Sequence, residues 1–404
     1  MKRFLSGALA VLLALFWVSC AAAELTEEQI SAADSYFQRR FAQAKAVGGA
    51  VLVSRNGKRI YSFFYGAGDK KGTRPVDEDT VYKVASVSKM VSAIGAVQLA
   101  EAGLLDLDAP LTCASGRPIR NPWHPEADVT LRQAMSHTTS LLKTAPYTKT
   151  PDWDRIDLSD GKYFSKRVPG AHYEYANLNG GILCSAIERA SGQSLNDYMA
   201  GHVFAPLGIN AAYAAHLLPD PEPLSNTYMA DGALYRKAEN YLQEDEEEYE
   251  NTCDPDQHYR STIGGLYISL SGLEKLAQAL ACGGAAGGAR LLSPQAAEMM
   301  RADQSTIPGS SVTGFSPYGL CVSRFEAEDG VTWYGHQGRW KGLQVDVFFE
   351  PASRATLVFV MNGVSRSGNK EVDAKAERAM LLVSGWLDAP EEPEIGAFVV
   401  EDEE

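Results

Sequence analysis

Apolar and polar positions follow three rhythms along this chain. The first is an apolar stretch from Phe4 to Val18 behind Lys2 and Arg3. It is too short for a comfortable membrane span and runs into small residues, the pattern of an export signal. The second rhythm is short apolar runs of strand length. Ala50 to Val53 and Arg59 to Phe64 flank Arg55-Asn56-Gly57-Lys58, where Asn-Gly supplies the positive φ angles of a tight hairpin. Far along the chain, Leu343 to Phe349 and Ala355 to Met361 flank Glu350-Pro351-Ala352-Ser353 as a second antiparallel pair. The third rhythm is helical. Thr26 and Gln29 form a capping box that opens a helix to about Ala46, and Thr130 and Gln133 form another. Helices are also expected from Met90 to near Gly103, from Leu178 to Ala190 with Gly192 beyond, from Ser194 until Pro206, and from Leu270 to Ala281 before Gly283-Gly284.

Strand patterns gather at both ends and helix patterns fill the middle. The architecture this predicts is α/β (α+β): an antiparallel sheet built from residues 24–80 and 312–389, interrupted by a mainly helical part over 81–311. Residues 1–23 form the leader and 390–404 an acidic tail. The length of 404 residues exceeds what one simple core supports, which agrees with two lobes.

A net charge of −14, with no basic stripe, removes nucleic acid as a partner. The acidity is concentrated in Glu244 to Glu248 and in the C-terminal tail, and both runs read as solvated loops. The leader has two cleavage readings. Ala21-Ala22-Ala23 fits cutting before Glu24 and soluble export to the periplasm or medium, whereas Val18-Ser19-Cys20 resembles a lipoprotein box that would tie Cys20 to a membrane. Removing Cys20 leaves five of the six cysteines, an odd number, so at least one stays unpaired within the chain. Cys184 lies in an apolar helical stretch and reads as core. No C-x-x-C, zinc spacing or cofactor motif occurs, and no metal or cofactor is expected.

The chemistry concentrates in three places. Ser86-Val87-Ser88-Lys89 opens the helix that runs to Gly103, so Lys89 lies on the same face as the Ser86 hydroxyl and can take its proton. The helix N-terminus adds amide groups suited to an oxyanion. The Ser-x-x-Lys strings Ser140 to Lys143 and Ser159 to Lys162 open no helix. Tyr175-Ala176-Asn177 precedes the Leu178 helix, joining a phenol that can shuttle protons to a carboxamide that can hold a carbonyl. His336-Gln337-Gly338 follows a strand-like stretch and offers backbone groups along a substrate. His137, without metal-ligand spacing, reads as a structural hydrogen-bonding residue outside the reaction centre. No G-x-S-x-G elbow is present.

With Ser86-x-x-Lys89, Tyr175-x-Asn177 and His336-x-Gly338 in this order, the sequence resembles the serine β-lactamase and penicillin-binding superfamily. Within it, the chain is similar to the branch of class C β-lactamases and D-alanyl-D-alanine carboxypeptidases. The resemblance covers Ala50 to Asn362 and includes Val129 to Thr139, Ile263 to Ser269 and Gly338 to Gly342. It implies a β-lactamase/transpeptidase-like fold and a serine hydrolase acting through acyl-Ser86, with Lys89 and Tyr175 as the proton-handling pair. It also implies Asn177, His336 and Gly338 as substrate contacts, and backbone N–H groups of Ser86 and Arg339 as the oxyanion hole.

His336 stands where class C β-lactamases carry lysine, and Lys83 stands where they carry glutamate. The His-x-Gly form is closer to carboxypeptidases, D-aminopeptidases and esterases. A D-amino-acid peptide or ester, cell-wall peptide among the candidates, is therefore the expected substrate rather than a β-lactam. Protonation of His336 near pH 6.5 is expected to favour an anionic substrate, with Arg339 and Lys341 as other sources of positive charge. The competing function is a cell-wall or penicillin sensor that binds with little turnover.

Overall fold

The computed structural model describes residues 25–147, 158–159, 161–254, 257–304, 318–327 and 330–364. The leader, Cys20 and the acidic tail lie outside the described residues.

Six strands form one antiparallel sheet. They are β1 (Gly48–Arg55), β2 (Lys58–Gly66), β3 (Ser323–Glu326), β4 (Thr332–Trp340), β5 (Leu343–Glu350) and β6 (Ala355–Asn362). Their order is β3-β4-β5-β6-β1-β2, so β1 from the start of the chain lies against β6 from its end, in register from Gly48 opposite Asn362 to Arg55 opposite Ala355. The β1–β2 hairpin turns at Asn56 and Gly57, both with positive φ, as the Asn-Gly pair requires. Strands β5 and β6 are buried at every position. That explains the nearly continuous apolar sequence of β6: both faces of the sheet are covered, and the buried Asp346 of β5 is met by Arg339.

One face is covered by α1 (Glu27–Gln43), which starts at the Thr26–Gln29 capping box and inserts Phe37 and Phe41 against Phe63 and Phe359. The other face belongs to the main core, where helices α2 (Val87–Glu101), α3 (Leu131–Met135), α4 (Asn177–Ser191), α5 (Tyr259–Gly264) and α6 (Leu270–Ala281) pack. Helix α2 is the axle of this core. Its side chains are buried on nearly every side, Lys89 among them. Helix α4 ends at Gly192 with φ of 67°, the left-handed cap glycine favours.

The segment from Ser194 continues past the expected break as a short α-helix, a π turn over Ala200–Phe204 and a 3-10 turn that places Pro206 in its first turn, where a missing N–H costs nothing. The acidic run, read as a loop, is instead the second half of a helix, Ala238–Glu248. Burial of Tyr241 and the Asp245 carboxylate's bond to the Ala215 N–H (2.7 Å) hold it there. Cys184 is fully buried, and Cys113, Cys184, Cys253, Cys282 and Cys321 are all free thiols. No helix among the described residues is long and apolar enough to cross a membrane.

Candidate active site

The site begins with strain. A short strand, Val81–Lys83, pairs with Tyr267–Ser269 and ends in a turn where Ala85 adopts φ of 48°, a left-handed conformation costing an alanine on the order of 1 kcal/mol. Bonds from Val87 N to Val84 O, from Ser88 N to Ala85 O and from Lys89 N to Ser86 O hold the turn. Ser88 secures it from behind: its hydroxyl donates to Ala85 O and accepts from Leu266 N. The result lifts Ser86 to the very start of α2, half-buried, while its neighbours face the core.

Lys89 is fully buried, and its ammonium donates to Ser86 Oγ (3.1 Å), Asn177 Oδ1 (2.9 Å) and the Ile263 carbonyl (2.8 Å). Three elements therefore converge on one amine: α2 carries it, and the first residue of α4 and the last turn of α5 receive its hydrogens. Gly180 makes room for the stem, since a Cβ there would lie 2.7 Å from Lys89 Cε. The amine also stands 5.2 Å from the centre of the Tyr175 ring. The structure thus brings Ser86, Lys89, Tyr175 and Asn177 together.

Strand β4 closes the other side. Gly338 presses so tightly on the Ser86 turn that a Cβ would meet the Val84 carbonyl oxygen at 2.2 Å, so this position accepts only glycine without displacing backbone. His336 lies on the same face of β4, two residues earlier, with its ring centre 6.3 Å from that of Tyr175.

Three expectations change here. His336 is 5% exposed, and burial first, then the Lys89 charge, push its pKa down to about 3. It does not titrate near 6.5. Its Nδ1 lies 2.7 Å from the Gln337 carbonyl, which fixes the proton there and leaves Nε2 as a bare acceptor. Arg339 offers no charge to the cleft either: its guanidinium lies 2.7 Å from the buried Asp346 carboxylate on the opposite face of β4.

His137, read as remote, stands against Tyr175 with ring centres 4.2 Å apart. Its carbonyl accepts the Glu174 N–H (2.9 Å) and its Nδ1 accepts the Ala176 N–H (3.3 Å), so both neighbours of Tyr175 are bonded to it. Its own φ is 56°, and burial, with help from Lys89 and His336, holds its pKa well below the ordinary value. Tyr318 meets the same imidazole edge-on at 5.2 Å. Two further participants left little trace in the sequence: the Ile263 carbonyl, because a backbone acceptor has no residue signature, and Gly180, whose only mark is the Gly180-Gly181 pair.

No group of three or more metal-ligating side chains occurs among the described residues. As it stands, the arrangement can activate a hydroxyl with an amine and a phenol, next to a helix N-terminus and a glycine-bearing strand.

A family model described as Beta-lactamase matches residues 33–381. The chain belongs to that family. Its relatives include Penicillin-binding protein 4* of Bacillus subtilis, 24% identical over 85% of this chain and 74% of that protein. Esterase EstB of Burkholderia gladioli is 30% identical over 44% of this chain, a match that spans about half (49%) of the esterase. Among solved structures, the octameric penicillin-binding protein homologue of Pyrococcus abyssi superposes with a TM-score of 0.70 over 88% of this chain and 77% of its own, at 19% identity. A class C β-lactamase superposes with a TM-score of 0.65 over 90% of this chain and 98% of its own, at 17% identity. These likenesses establish the family's mixed α/β fold, an antiparallel sheet with flanking helices.

Proposed function

We propose that this member of the Beta-lactamase family is a serine hydrolase that cleaves a small amide or ester, of the D-amino-acid peptide or simple ester kind, through an acyl-Ser86 intermediate. The observation that carries the reading is the fully buried Lys89 amine bonded at once to Ser86 Oγ, Asn177 Oδ1 and Ile263 O. Burying an ammonium away from water is strongly unfavourable unless its donors are satisfied, and a purely structural lysine would have no need of a half-exposed hydroxyl among its acceptors.

In this reading the Ser86 proton passes to the Lys89–Tyr175 pair as Oγ attacks the carbonyl carbon. The backbone N–H groups of Ser86 and Arg339 hold the oxyanion, and the tetrahedral adduct collapses when Tyr175 gives a proton to the leaving group. Water then repeats the sequence on the acyl-enzyme and releases the acid. Asn177 commits its Oδ1 to Lys89 and keeps its two amide hydrogens to donate to the substrate. The neutrality of His336 supports the preference for esters and D-amino-acid amides over β-lactams, because a bare imidazole acceptor does not attract a carboxylate as the lysine of a β-lactamase does.

Similarity to proteins named D-alanyl-D-alanine-carboxypeptidase/endopeptidase AmpH of Escherichia coli (26% identical over 63% of this chain) and D-aminopeptidase of Brucella ovis (31% over 44%) supports that substrate class. Export to the periplasm or medium, and access to cell-wall peptide there, rest on the leader over residues 1–23. The test is steady-state kinetics on three substrates: a short-chain ester, a D-alanyl peptide and a cephalosporin. Turnover of the first two should exceed that of the cephalosporin. The reverse order would contradict the substrate reading.

A further inference from the structure

Strand β4 runs past the Ser86 turn in both directions, and the side chains towards its two ends differ in charge. His336, Gly338 and Trp340 alternate onto one face of β4, whose pairing with β5 is regular throughout. Gly338 sits against Val84, next to the nucleophile. At the His336 end stand Tyr175 and a neutral imidazole. At the Trp340 end stands Lys83, the last residue of the strand that leads into the Ser86 turn.

The Lys83 amine lies 5.6 Å from the Trp340 ring centre, 4.8 Å from Tyr267 and 5.4 Å from Tyr241, and donates to the Tyr267 hydroxyl (3.0 Å). The Trp340 ring meets Tyr235 edge-on at 5.2 Å, and the Lys341 amine lies over that tyrosine at 4.7 Å. Lys83, Tyr235, Trp340 and Lys341 are all half-exposed.

Burial lowers the Lys83 pKa, and the nearby Asp245 and Glu244 act against that shift without forming an ion pair with it. Glu244 pairs with Arg236, and Asp245 accepts the Ala215 N–H. Neither lysine amine has an ion-pair partner among the described residues. Aromatic faces lend a cation only a fraction of what a carboxylate gives, so two ammonium groups here keep unused capacity beside an accessible aromatic wall.

We propose that Lys83, Lys341 and the Trp340–Tyr235 pair form the acyl-side subsite, selecting substrates whose retained acyl group carries an aromatic ring and a negative charge while the departing group is uncharged. This rests on the proposed acyl-Ser86 reading, in which Tyr175 protonates the leaving group and thereby marks its own end as the leaving-group side. The half of the substrate that stays on Ser86 then extends towards Lys83.

Two esters of the same shape separate charge from size: 4-nitrophenyl (4-carboxyphenyl)acetate and 4-nitrophenyl (4-carbamoylphenyl)acetate. The full-length mature enzyme is expected to favour the carboxylate about tenfold in kcat/KM. The preference should shrink as salt rises from about 0.03 to about 0.3 M, because partly exposed charges are screened. It should fall towards parity in Lys83→Met and in Lys341→Met. A wild-type ratio at or below one, or a ratio that neither salt nor either substitution moves, overturns the subsite. The salt series needs no variant, so misfolding of one cannot rescue the proposal. Failure of the underlying reading looks different: neither ester would then be hydrolysed faster by the wild type than by Ser86→Ala, and the subsite would fall with it.

Discussion

His336 and His137 place two uncharged imidazoles beside the buried Lys89 amine. For His336 the folded pKa of about 3 lies below the ordinary value of 6.5, so between these values the unfolded chain binds a proton that the folded chain refuses. The stability this gives is present above about pH 6.5 and is lost as pH falls towards 3, by up to a few kcal/mol. Denaturant titrations at pH 7 and pH 4 should show a smaller acid loss for His336→Gln than for the wild type, and equal losses would refute the assignment. His137 tests position rather than charge. His137→Ala keeps the backbone bond to the Glu174 N–H but removes the imidazole that accepts the Ala176 N–H and packs on the Tyr175 ring, and kcat should fall about 100-fold with KM little changed, the size of effect an ångström of misplacement produces. His137→Asn should recover part of that loss, since asparagine tolerates the positive φ and can still accept the Ala176 N–H. A variant as active as the wild type would show that Tyr175 is held by other means. At this scale the sequence revealed what spacing can encode. Ser86 and Lys89 share a helix face by their three-residue interval, but contact between His137 and Tyr175 depends on how α3 and α4 pack, which no interval records.

Helices and strands were legible wherever a local rule decides them. The capping boxes at Thr26 and Thr130 and the Asn56-Gly57 turn each form as the residues dictate, because their hydrogen bonds close within a few positions. The acidic helix was not legible, since Tyr241 and Asp245 find their partners across the fold and override a composition that favours solvent. Element packing also sets the Lys89 geometry. Helix α4 passes close to α2 only because residue 180 lacks a side chain, and Gly180→Ala would drive a methyl against Lys89 Cε. Alanine is better than glycine in a helix interior by about 1 kcal/mol, so the melting temperature should change little. Activity should nevertheless fall about 100-fold as the amine is displaced. Unchanged kcat in a folded Gly180→Ala enzyme would mean that the amine tolerates the shift and that its three hydrogen bonds are not needed for turnover.

The whole molecule joins a sheet made from both chain ends to helices made from the middle, and a buried polar contact ties them. Glu274 on α6 is 5% exposed, accepts from Ser54 on β1, and is gripped by Arg59 on β2, whose Nε lies 3.0 Å from Oε1. Arg59→Ala leaves that carboxylate buried without its cation, and unfolding should become easier by about 3 kcal/mol. Replacing both residues with apolar ones should recover most of the loss, whereas an Arg59→Ala protein of unchanged stability would show the contact to be incidental. The sheet's assembly from both ends was readable because β5 and β6 are rich in apolar residues and flank the Glu350-Pro351-Ala352-Ser353 turn. The edge strand β3 was not, being only four residues long, too short for the alternation of buried Ser323 and Phe325 with Arg324 and Glu326 to stand out. In the proposed function, all of this scaffold serves to present the Ser86 hydroxyl. The most direct measurement of that claim is to treat the purified enzyme with a fluorophosphonate and locate the adduct by peptide mass spectrometry. A single modification on Ser86 is expected, absent from Ser86→Ala and strongly slowed in Lys89→Ala. An adduct on another residue, or labelling that persists in Ser86→Ala, would contradict it.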